Sequence, residues 1–294
     1  MLLIEFLQTS PNAFIVVAAI LGLLVGSFLN VVIHRLPLMM EAEWRQQCAE
    51  LNGPPVDPVA PAINLMTPRS RCPHCGHAIT ALENVPVLSY LCLKGKCSAC
   101  AKPISARYPV IEALSGVLTA LVAWHFGWSW QAGAAMLLTW ALIALSVIDF
   151  DHQLLPDSIT QPFIWLGLAL SLFGSGGVFV DTRTSLIGAL AGYMSLWLVY
   201  QLFKRLTGKE GMGYGDFKLF ALFGAWLGWQ LLPAIILLSS LVGAIIGIGL
   251  IVVRGRDRNL PIPFGPYLAG AGWIALLWGE RMTNAYLHMA GMTS

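Results

Sequence analysis

Six long stretches of this sequence contain no charged residue, and they limit what the chain can fold into more than any other feature. They cover residues 6–33, 113–148, 158–180, 184–203, 219–253 and 260–279. A helix needs about 20 apolar residues to cross the hydrocarbon core of a bilayer. Only 11% of the residues are charged and the mean hydropathy is +0.71. These values exclude an ordinary soluble globular protein and predict a polytopic membrane protein.

The uncharged stretches divide into about eight predicted transmembrane helices. The two longest stretches each hold two helices, with breaks near residues 127–131 and 230–233. The predicted helices cover residues 12–33, 109–126, 131–149, 158–175, 185–203, 216–231, 233–253 and 263–280. The fold class is therefore an all-α integral membrane protein with one sizeable insert. The predicted domains are a first transmembrane helix (1–33), a soluble insert (34–108) and a membrane core of about seven helices (109–294).

The distribution of Lys and Arg predicts the orientation of the chain in the membrane. Fourteen of the 17 basic residues fall in three connections, 34–108, 204–215 and 254–259. Cytoplasmic loops carry an excess of Lys and Arg, so we expect these connections in the cytoplasm and both termini on the outer side. The first cation is Arg35, so the N-terminal apolar run lacks the basic start of a signal peptide and is expected to remain.

Two C-x-x-C pairs in the insert predict a metal site. Cys72 and Cys75 form the first pair, and Cys97 and Cys100 form the second. Two such turns supply four thiolates, the ligand set of tetrahedral structural Zn²⁺. Four cysteines also suit an iron–sulfur cluster, which the spacing does not exclude, and disulfides are disfavoured in the cytoplasm. We expect His74 and His77 to lie outside the ligand set, and Cys48 and Cys92 to be structural thiols.

Acidic residues at the edges of apolar spans are candidates for chemistry, because such positions are costly for a charge. Asp149, Asp151 and Asp157 follow the third predicted helix, and Asp216 begins the sixth after a glycine-rich segment. Two carboxylates that share a proton can hydrolyse a peptide bond, one as base on water and the other as acid. Asp149 and Asp151 point about 200° apart around a helix, so one of them is expected to be solvated.

Other interpretations of these acidic residues stay open at this point. Asp157 is well explained as the N-cap of the fourth helix, and Glu112 is explained by pairing with Arg107. Proton relay and purely structural roles compete with an aspartate dyad. The spans contain no Ser–His or G-x-S-x-G arrangement, and no G-x-G-x-x-G segment follows a strand, so neither a serine hydrolase nor a Rossmann nucleotide site is predicted.

The ordered motifs of the chain resemble those of the type IV prepilin peptidases. The matching segments are residues 26–37 (GSFLNVVIHRLP), the two C-x-x-C pairs, residues 107–112 (RYPVIE), residues 149–157 (DFDHQLLPD), residues 213–218 (GYGDFK) and residues 264–267 (FGPY). Presenilin-like proteases share the G-x-G-D motif, but the whole set in this order is specific. The resemblance covers nearly the whole chain.

The resemblance implies a bifunctional enzyme of the bacterial inner membrane with its active site at the cytoplasmic face. Such enzymes cleave the basic leader from type IV prepilins and type II secretion pseudopilins, and many then methylate the new N-terminal amine with S-adenosylmethionine. The implied catalytic pair is Asp149 and Asp216, with Asp151 as the alternative to Asp149. The large cysteine insert favours the bifunctional form, with residues 94–96 (KGK) as a candidate contributor to methylation and no S-adenosylmethionine site assigned.

Two competing hypotheses belong to other functional classes. A transporter would use Asp149 and Asp216 as a proton relay, and this hypothesis predicts carboxylates in the middle of the spans. An assembly protein would use the zinc insert to bind partners, with the aspartates only capping helices. We expect substrate proteins and membrane lipid as partners, and no nucleic acid.

Overall fold

The structure is a computed structural model that describes residues 2–53, 64–174, 176–254 and 262–289. Most of the loop centred on 52–61, and the cations Arg256 and Arg258, lie outside these residues. The described residues form ten α-helices and no extended strand. The helices are α1 (Leu2–Thr9), α2 (Pro11–Asn52), α3 (Leu88–Cys92), α4 (Arg107–Phe126), α5 (Trp130–His152), α6 (Asp157–Leu170), α7 (Thr182–Thr207), α8 (Tyr214–Leu227), α9 (Leu232–Arg254) and α10 (Gly265–Met289).

The all-helical prediction is confirmed for the described residues, and five helical segments are long and apolar enough to cross a membrane. These are Pro11–Leu51, Arg107–Phe126, Trp130–His152, Thr182–Thr207 and Trp229–Val253. Helices α6 and α8 have 14 residues each, so each is about 21 Å long, shorter than the roughly 30 Å hydrocarbon core. The predicted helices 158–175 and 216–231 were therefore too long at their C-terminal ends.

The predicted end of the first helix at residue 33 was also wrong, because α2 has 42 residues and extends from Pro11 to Asn52. Charge begins at Arg35, but apart from Pro37 most residues beyond it are good helix formers. Their side chains also interact one turn apart, as Glu41 with Arg45 at 3.5 Å and Gln46 with Glu50 at 3.0 Å, which supports an exposed helix. The change from apolar to charged residues thus marks the end of the apolar part and not the end of the helix.

The chain divides into two compact units, Met1–Ala132 and Gly133–Ser294. In the first unit, α2 packs against α4 through small residues. An added Cβ at Gly22 would lie 2.5 Å from Thr119 Oγ1, and one at Gly26 would lie 2.8 Å from the Cα of Glu112. The Ser115 hydroxyl donates a hydrogen bond to the carbonyl oxygen of Gly22 at 2.7 Å. Small and hydroxyl residues of this kind let two membrane helices approach closely.

The second unit is built around α8, which is buried along nearly its whole length. Helices α6, α7 and α10 pack against it. The indole nitrogen of Trp226 donates to the carbonyl oxygen of Phe163 in α6 at 2.7 Å. The backbones of α7 and α8 come close at Gly188 and Gly224, where an added Cβ at Gly224 would lie 2.0 Å from the Gly188 carbonyl oxygen. This packing fixes the position of α8, and therefore that of Asp216 in its first turn.

We predict that Gly224→Ala lowers stability, because the added methyl group would meet backbone and force α7 and α8 apart. Overpacking of this kind costs about 1–3 kcal/mol. The loss is measured as a lower midpoint of thermal unfolding in detergent. The matched control is Gly249→Ala in α9, where an added Cβ has no neighbour within 4 Å, so helix propensity alone leaves it neutral or slightly stabilising. Equal midpoints for the two variants would contradict the close α7–α8 contact.

Candidate active site and metal centre

Asp149 lies in the last turn of α5 and is buried, with 6% of its surface exposed. The backbone N–H of Gln153 donates to the Asp149 carbonyl oxygen at 2.8 Å, and Gln153 adopts a left-handed conformation with φ 54°, which ends the helix. Asp151, two residues after Asp149, is exposed. The expectation that only one of the pair would be solvated is confirmed.

Asp216 lies in the first turn of α8 and is also buried, with 8% of its surface exposed. Its backbone N–H donates to the carbonyl oxygen of Gly213 at 3.2 Å, and the backbone of Gly213 hydrogen bonds to its carboxyl group. A carboxylate in the first helical turn is favoured by the helix dipole. The first turn of α8 thus holds an acidic side chain inside apolar packing.

The fold brings Asp149 and Asp216 together from distant parts of the sequence. The carboxylate of Asp216 interacts electrostatically with that of Asp149. Leu155 lies between the start of α8 and the start of α10. An added Cβ at Gly215 would be 2.7 Å from Leu155 Cβ, and one at Gly265 would be 3.2 Å from Leu155 Cδ2. The end of α5, the start of α8 and the start of α10 therefore meet at one place.

Gly265, the first residue of α10, holds Asp149 directly. Its backbone N–H donates to Oδ2 of Asp149 at 3.0 Å in buried surroundings. A Cβ at Gly265 would lie 2.6 Å from the same oxygen, so a larger residue is incompatible with this contact. In the sequence, Gly265 is marked only by its place in the FGPY segment, which indicates no role for it. No periodicity or spacing connects residues 149 and 265.

Asp157 does not cap α6, so the N-cap prediction was wrong. The capping position is Pro156, and no side chain caps this helix. Asp157 is the first helical residue instead, and Lys218 Nζ lies 2.6 and 2.7 Å from its two carboxylate oxygens. Because Lys218 belongs to α8, the ion pair ties the start of α6 to the helix that carries Asp216.

The four predicted cysteine ligands converge in the first unit. Their Sγ atoms all lie within 4.8 Å of one another, and Cys72–Cys100 and Cys75–Cys97 are each separated by 3.9 Å. Zn–S bonds of about 2.3 Å in a tetrahedron give a sulfur–sulfur distance of about 3.8 Å, whereas a disulfide needs about 2.05 Å. The sulfur positions therefore fit a tetrahedral metal ion and exclude disulfides among these four residues.

The two C-x-x-C turns have the same backbone design. In each, the N–H of the first cysteine donates to the carbonyl oxygen five residues later, His77 for Cys72 and Lys102 for Cys97, both at 2.9 Å. The residue four positions after the first cysteine is left-handed, Gly76 with φ 73° and Ala101 with φ 56°. Glycine adopts this conformation without strain, which explains Gly76. Nothing in the sequence pattern indicated that Ala101 shares it.

In each turn, backbone groups favour the thiolate form of the first cysteine, and the thiolate is the form that binds metal. Hydrogen bonds from the backbone of Cys75 and His74 lower the pKa of Cys72 to about 6. The backbone of Cys100 and Ala99 lowers the pKa of Cys97 in the same way. The histidines are not among the converging ligands, as predicted. His77 Nε2 instead lies 3.3 Å from the carboxylate of Glu83.

Glu83 joins the two turns and was missed by sequence reasoning. Its carboxylate accepts hydrogen bonds from the Ser98 hydroxyl, inside the second turn, and from the N–H and hydroxyl of Thr80 at 2.8 and 2.9 Å, just after the first. These hydrogen bonds, that of Ser98 first, lower the pKa of Glu83 to about 2, so it is ionised at neutral pH. A single carboxylate thus connects the two C-x-x-C turns.

Comparison with known proteins gives the family. Residues 20–126 match the family described as bacterial peptidase A24 N-terminal domain, and residues 136–248 match the type IV leader peptidase family. The chain belongs to the type IV leader peptidase family. It is 58% identical over 287 residues, 98% of each chain, to the prepilin leader peptidase/N-methyltransferase of Stutzerimonas stutzeri. No solved structure matches the chain at a significant level.

Further relatives match this family member along nearly their whole length. The proteins of the same name from Pseudomonas aeruginosa and Dichelobacter nodosus are 55% identical over 289 residues and 49% identical over 292 residues. These alignments cover 98% and 97% of this chain and 99% and 98% of the relatives. The four-cysteine cluster lies inside the segment matched by the N-terminal family domain, and Asp149 and Asp216 lie inside the segment matched by the type IV leader peptidase domain.

We predict that Glu83→Ala weakens zinc binding by about 10–100-fold, the usual effect of losing an outer-shell partner. Without Glu83 the two turns lose their shared acceptor and must be ordered by the metal alone. Affinity is measured by competition between the purified protein and a chromogenic chelator. The control is Glu50→Ala in the exposed end of α2, which is expected to keep the affinity. An unchanged affinity in Glu83→Ala would show that the turns do not need this carboxylate.

Proposed function

We propose that this chain is a membrane aspartic endopeptidase that removes the leader peptide of prepilins and then N-methylates the new N-terminal residue. One observation carries the peptidase part. Two buried carboxylates, Asp149 and Asp216, interact at the ends of α5 and α8 in a member of the leader peptidase family. Buried, mutually interacting carboxylates in an apolar site are the arrangement that aspartic proteases use.

The chemistry follows from two carboxylates that share one proton. The ionised aspartate accepts a proton from a water molecule as that water attacks the scissile carbonyl carbon. The protonated aspartate donates its proton to the carbonyl oxygen, which becomes a hydroxyl group. When the C–N bond of this tetrahedral intermediate breaks, the leaving amine takes a proton from the carboxyl group that had accepted one from water. A hydroxyl group of the intermediate returns its proton to the other aspartate, which leaves the carboxylic acid product and restores the pair. The N–H of Gly265 holds one oxygen of Asp149, which orients this carboxylate throughout.

We infer that the active site faces the cytoplasm of a bacterium and that the chain spans the inner membrane about eight times. The excess of basic residues in 34–108, 204–215 and 254–259 supports this orientation. Asp149 lies in the last turn of α5 and Asp216 in the first turn of α8, so both lie next to the cytoplasmic side of the chain. A basic leader peptide stays on that side. Pseudopilins of type II secretion carry the same kind of leader and are proposed as further substrates.

The insert 34–108 is proposed as a zinc-folded cytoplasmic module. Cys72, Cys75, Cys97 and Cys100 would hold the ion, which would stabilise a segment with few buried apolar residues. The names of the relatives support an N-methyltransferase activity, for which S-adenosylmethionine would supply the methyl group. The described residues assign no site to this donor. Residues 94–96 form a tight turn in which Lys94 and Gly95 are both left-handed, and they are kept as a candidate contributor.

The transporter hypothesis is less well supported by the geometry. A proton relay needs carboxylates along a path through the membrane, whereas Asp149 and Asp216 lie at helix ends. The assembly-protein hypothesis leaves the burial of both carboxylates unexplained, because a capping aspartate does not need to be removed from water. The peptidase proposal accounts for the position, the burial and the proximity of the pair.

We predict that Asp149→Asn and Asp216→Asn each reduce prepilin cleavage by about 10³-fold or more, because each removes a group that exchanges a proton with the substrate or water. Purified variants are incubated with a prepilin in vesicles, and the product N-terminus is read by intact mass. S-adenosylmethionine is present in one arm only, where wild type is expected to add one methyl group.

The matched control for this experiment is Asp151→Asn, an exposed aspartate two residues from the dyad, which is expected to cleave like wild type. If Asp151→Asn loses cleavage and Asp149→Asn retains it, then Asp151 and not Asp149 is the partner of Asp216. Retention in all three variants would refute the aspartic mechanism.

We also predict that Gly265→Ala lowers kcat by about 100-fold with little change in KM, because a displacement of about 1 Å in a catalytic group has an effect of this size. The added methyl group would push against Asp149 Oδ2 and Leu155 Cδ2. The control is Gly270→Ala in the same helix, where an added Cβ has no neighbour within 4 Å. If both variants cleave with the wild-type kcat, the α10 contact does not position Asp149.

A further inference from the structure

The zinc-binding insert is attached to the membrane helices at two points, both close to where those helices leave the apolar region. The guanidinium of Arg35, the first charged residue of α2 after the apolar run, donates to the carbonyl oxygens of Asn64 and Pro68 at 2.8 and 2.5 Å. The N–H of Val87 donates to Oε2 of Glu112 in α4 at 2.8 Å. These bonds hold residues 64–68 and 87 against the ends of the spans.

The depth of the second attachment follows from the length of α4. This helix has 20 residues, so it is about 30 Å long and just spans the hydrocarbon core. Glu112 is its sixth residue and lies about 7.5 Å inside its start. Val87, which bonds to Glu112, is therefore held at the level of the first turns of α4, just inside the boundary between headgroups and acyl chains, and not out in the cytoplasm.

The residues beside Val87 present an exposed apolar surface at this level. Leu82, Leu88 and Leu91, here called the leucine surface, are 83%, 61% and 64% exposed. Leu88 and Leu91 are three residues apart in α3 and share a face of this helix. Leu82 and Leu88 line one shallow cavity of about 310 Å³. A cluster of exposed leucines on a small folded segment marks a surface that is covered in the working protein.

The charge around the leucine surface distinguishes between possible partners. Residues 64–107 contain six cations and a single acidic residue, Glu83, whose carboxylate is taken up by hydrogen bonds within the insert. Lys94 and Lys96 lie two and four residues after the end of α3 and are exposed. A basic leader peptide would be repelled by this surface, whereas the headgroups of anionic lipids would be attracted. Exposed leucines flanked by lysines are also the pattern of segments that lie in the membrane interface.

We propose that the insert is a membrane-surface module, in which the leucine surface is immersed in the cytoplasmic leaflet and the neighbouring cations contact anionic headgroups. The two attachments at Arg35 and Glu112 set its depth, and the metal keeps its two turns in shape above the bilayer. The immersion keeps the insert near the membrane surface where α4 begins.

The test uses the full-length, zinc-loaded protein in vesicles of phosphatidylethanolamine and phosphatidylglycerol. The photoreactive residue p-benzoylphenylalanine replaces Leu88, Leu91 or, as a matched control, Leu51, one at a time. All three leucines are exposed, so the replacements do not disturb packing, and unchanged zinc content verifies the fold. Leu51 lies near the end of α2, about 24 Å along the helix from Arg35. After illumination, intact mass shows whether one phospholipid has been added, and peptide mapping shows crosslinks within the protein.

The expected result is a phospholipid adduct at positions 88 and 91, with a yield several-fold above that at position 51. Crosslinks from positions 88 and 91 to other parts of the chain would overturn the proposal, because the leucine surface would then be covered by protein. Absence of any adduct at 88 and 91 would overturn it too, because the surface would then face water. Equal lipid adducts at all three positions would also contradict it, since they would show no specific immersion.

Discussion

Two carboxylates buried at the edge of an apolar helix bundle impose the main constraint on this structure. Removing a charged group from water costs several kcal/mol unless polar groups compensate. The second unit places helix starts next to both side chains. The N–H of Gly265 at the start of α10 bonds to Asp149, and Asp216 lies in the first turn of α8. The helix starts thus supply partial positive charge without a cationic side chain, which helps to hold one negative charge on a pair of aspartates that share a proton.

The central position of α8 follows from the same constraint. A first turn that carries a buried carboxylate must be held firmly, and α8 is packed on several sides. Glycines at 188 and 224 let α7 approach backbone to backbone, and Trp226 bonds to α6. The ion pair of Lys218 with Asp157 adds a connection between the start of α6 and α8. These contacts explain how a helix of only 14 residues is held in a fixed position with a buried carboxylate in its first turn.

The insert of the first unit needs other stabilising interactions, because it has few buried apolar residues. In the part of the insert that the structure describes, the stabilising interactions are polar contacts and those of the four converging sulfur atoms. Glu83 links the two C-x-x-C turns, while Arg35 and Glu112 attach the insert to α2 and α4. A metal ion at the sulfur cluster would replace the missing apolar core, as it does in other small domains. The insert would then be a rigid attachment to two membrane helices.

Much of the fold was available from the sequence, because hydropathy and charge act locally. The uncharged stretches predicted the long helices, and the two C-x-x-C pairs predicted a sulfur cluster that the structure brings within 4.8 Å. The alternation of Asp149 and Asp151 around a helix correctly predicted that only one would be buried. Helix ends were less predictable. The polar end of α2 is set by helix propensity and exposed side-chain pairs, which hydropathy does not register.

Tertiary structure decided the relations between distant residues. Nothing near Asp149 in the sequence indicates that Gly265 will bond to it, because 116 residues separate them and the contact exists only when α5 and α10 meet. The same is true of Lys218 with Asp157 and of Glu112 with Val87. The sequence alone determined which segments are apolar, which residues are chemically capable and which family motifs are present. Packing decided which of these residues meet, since long-range contacts depend on how helices cross and not on local pattern.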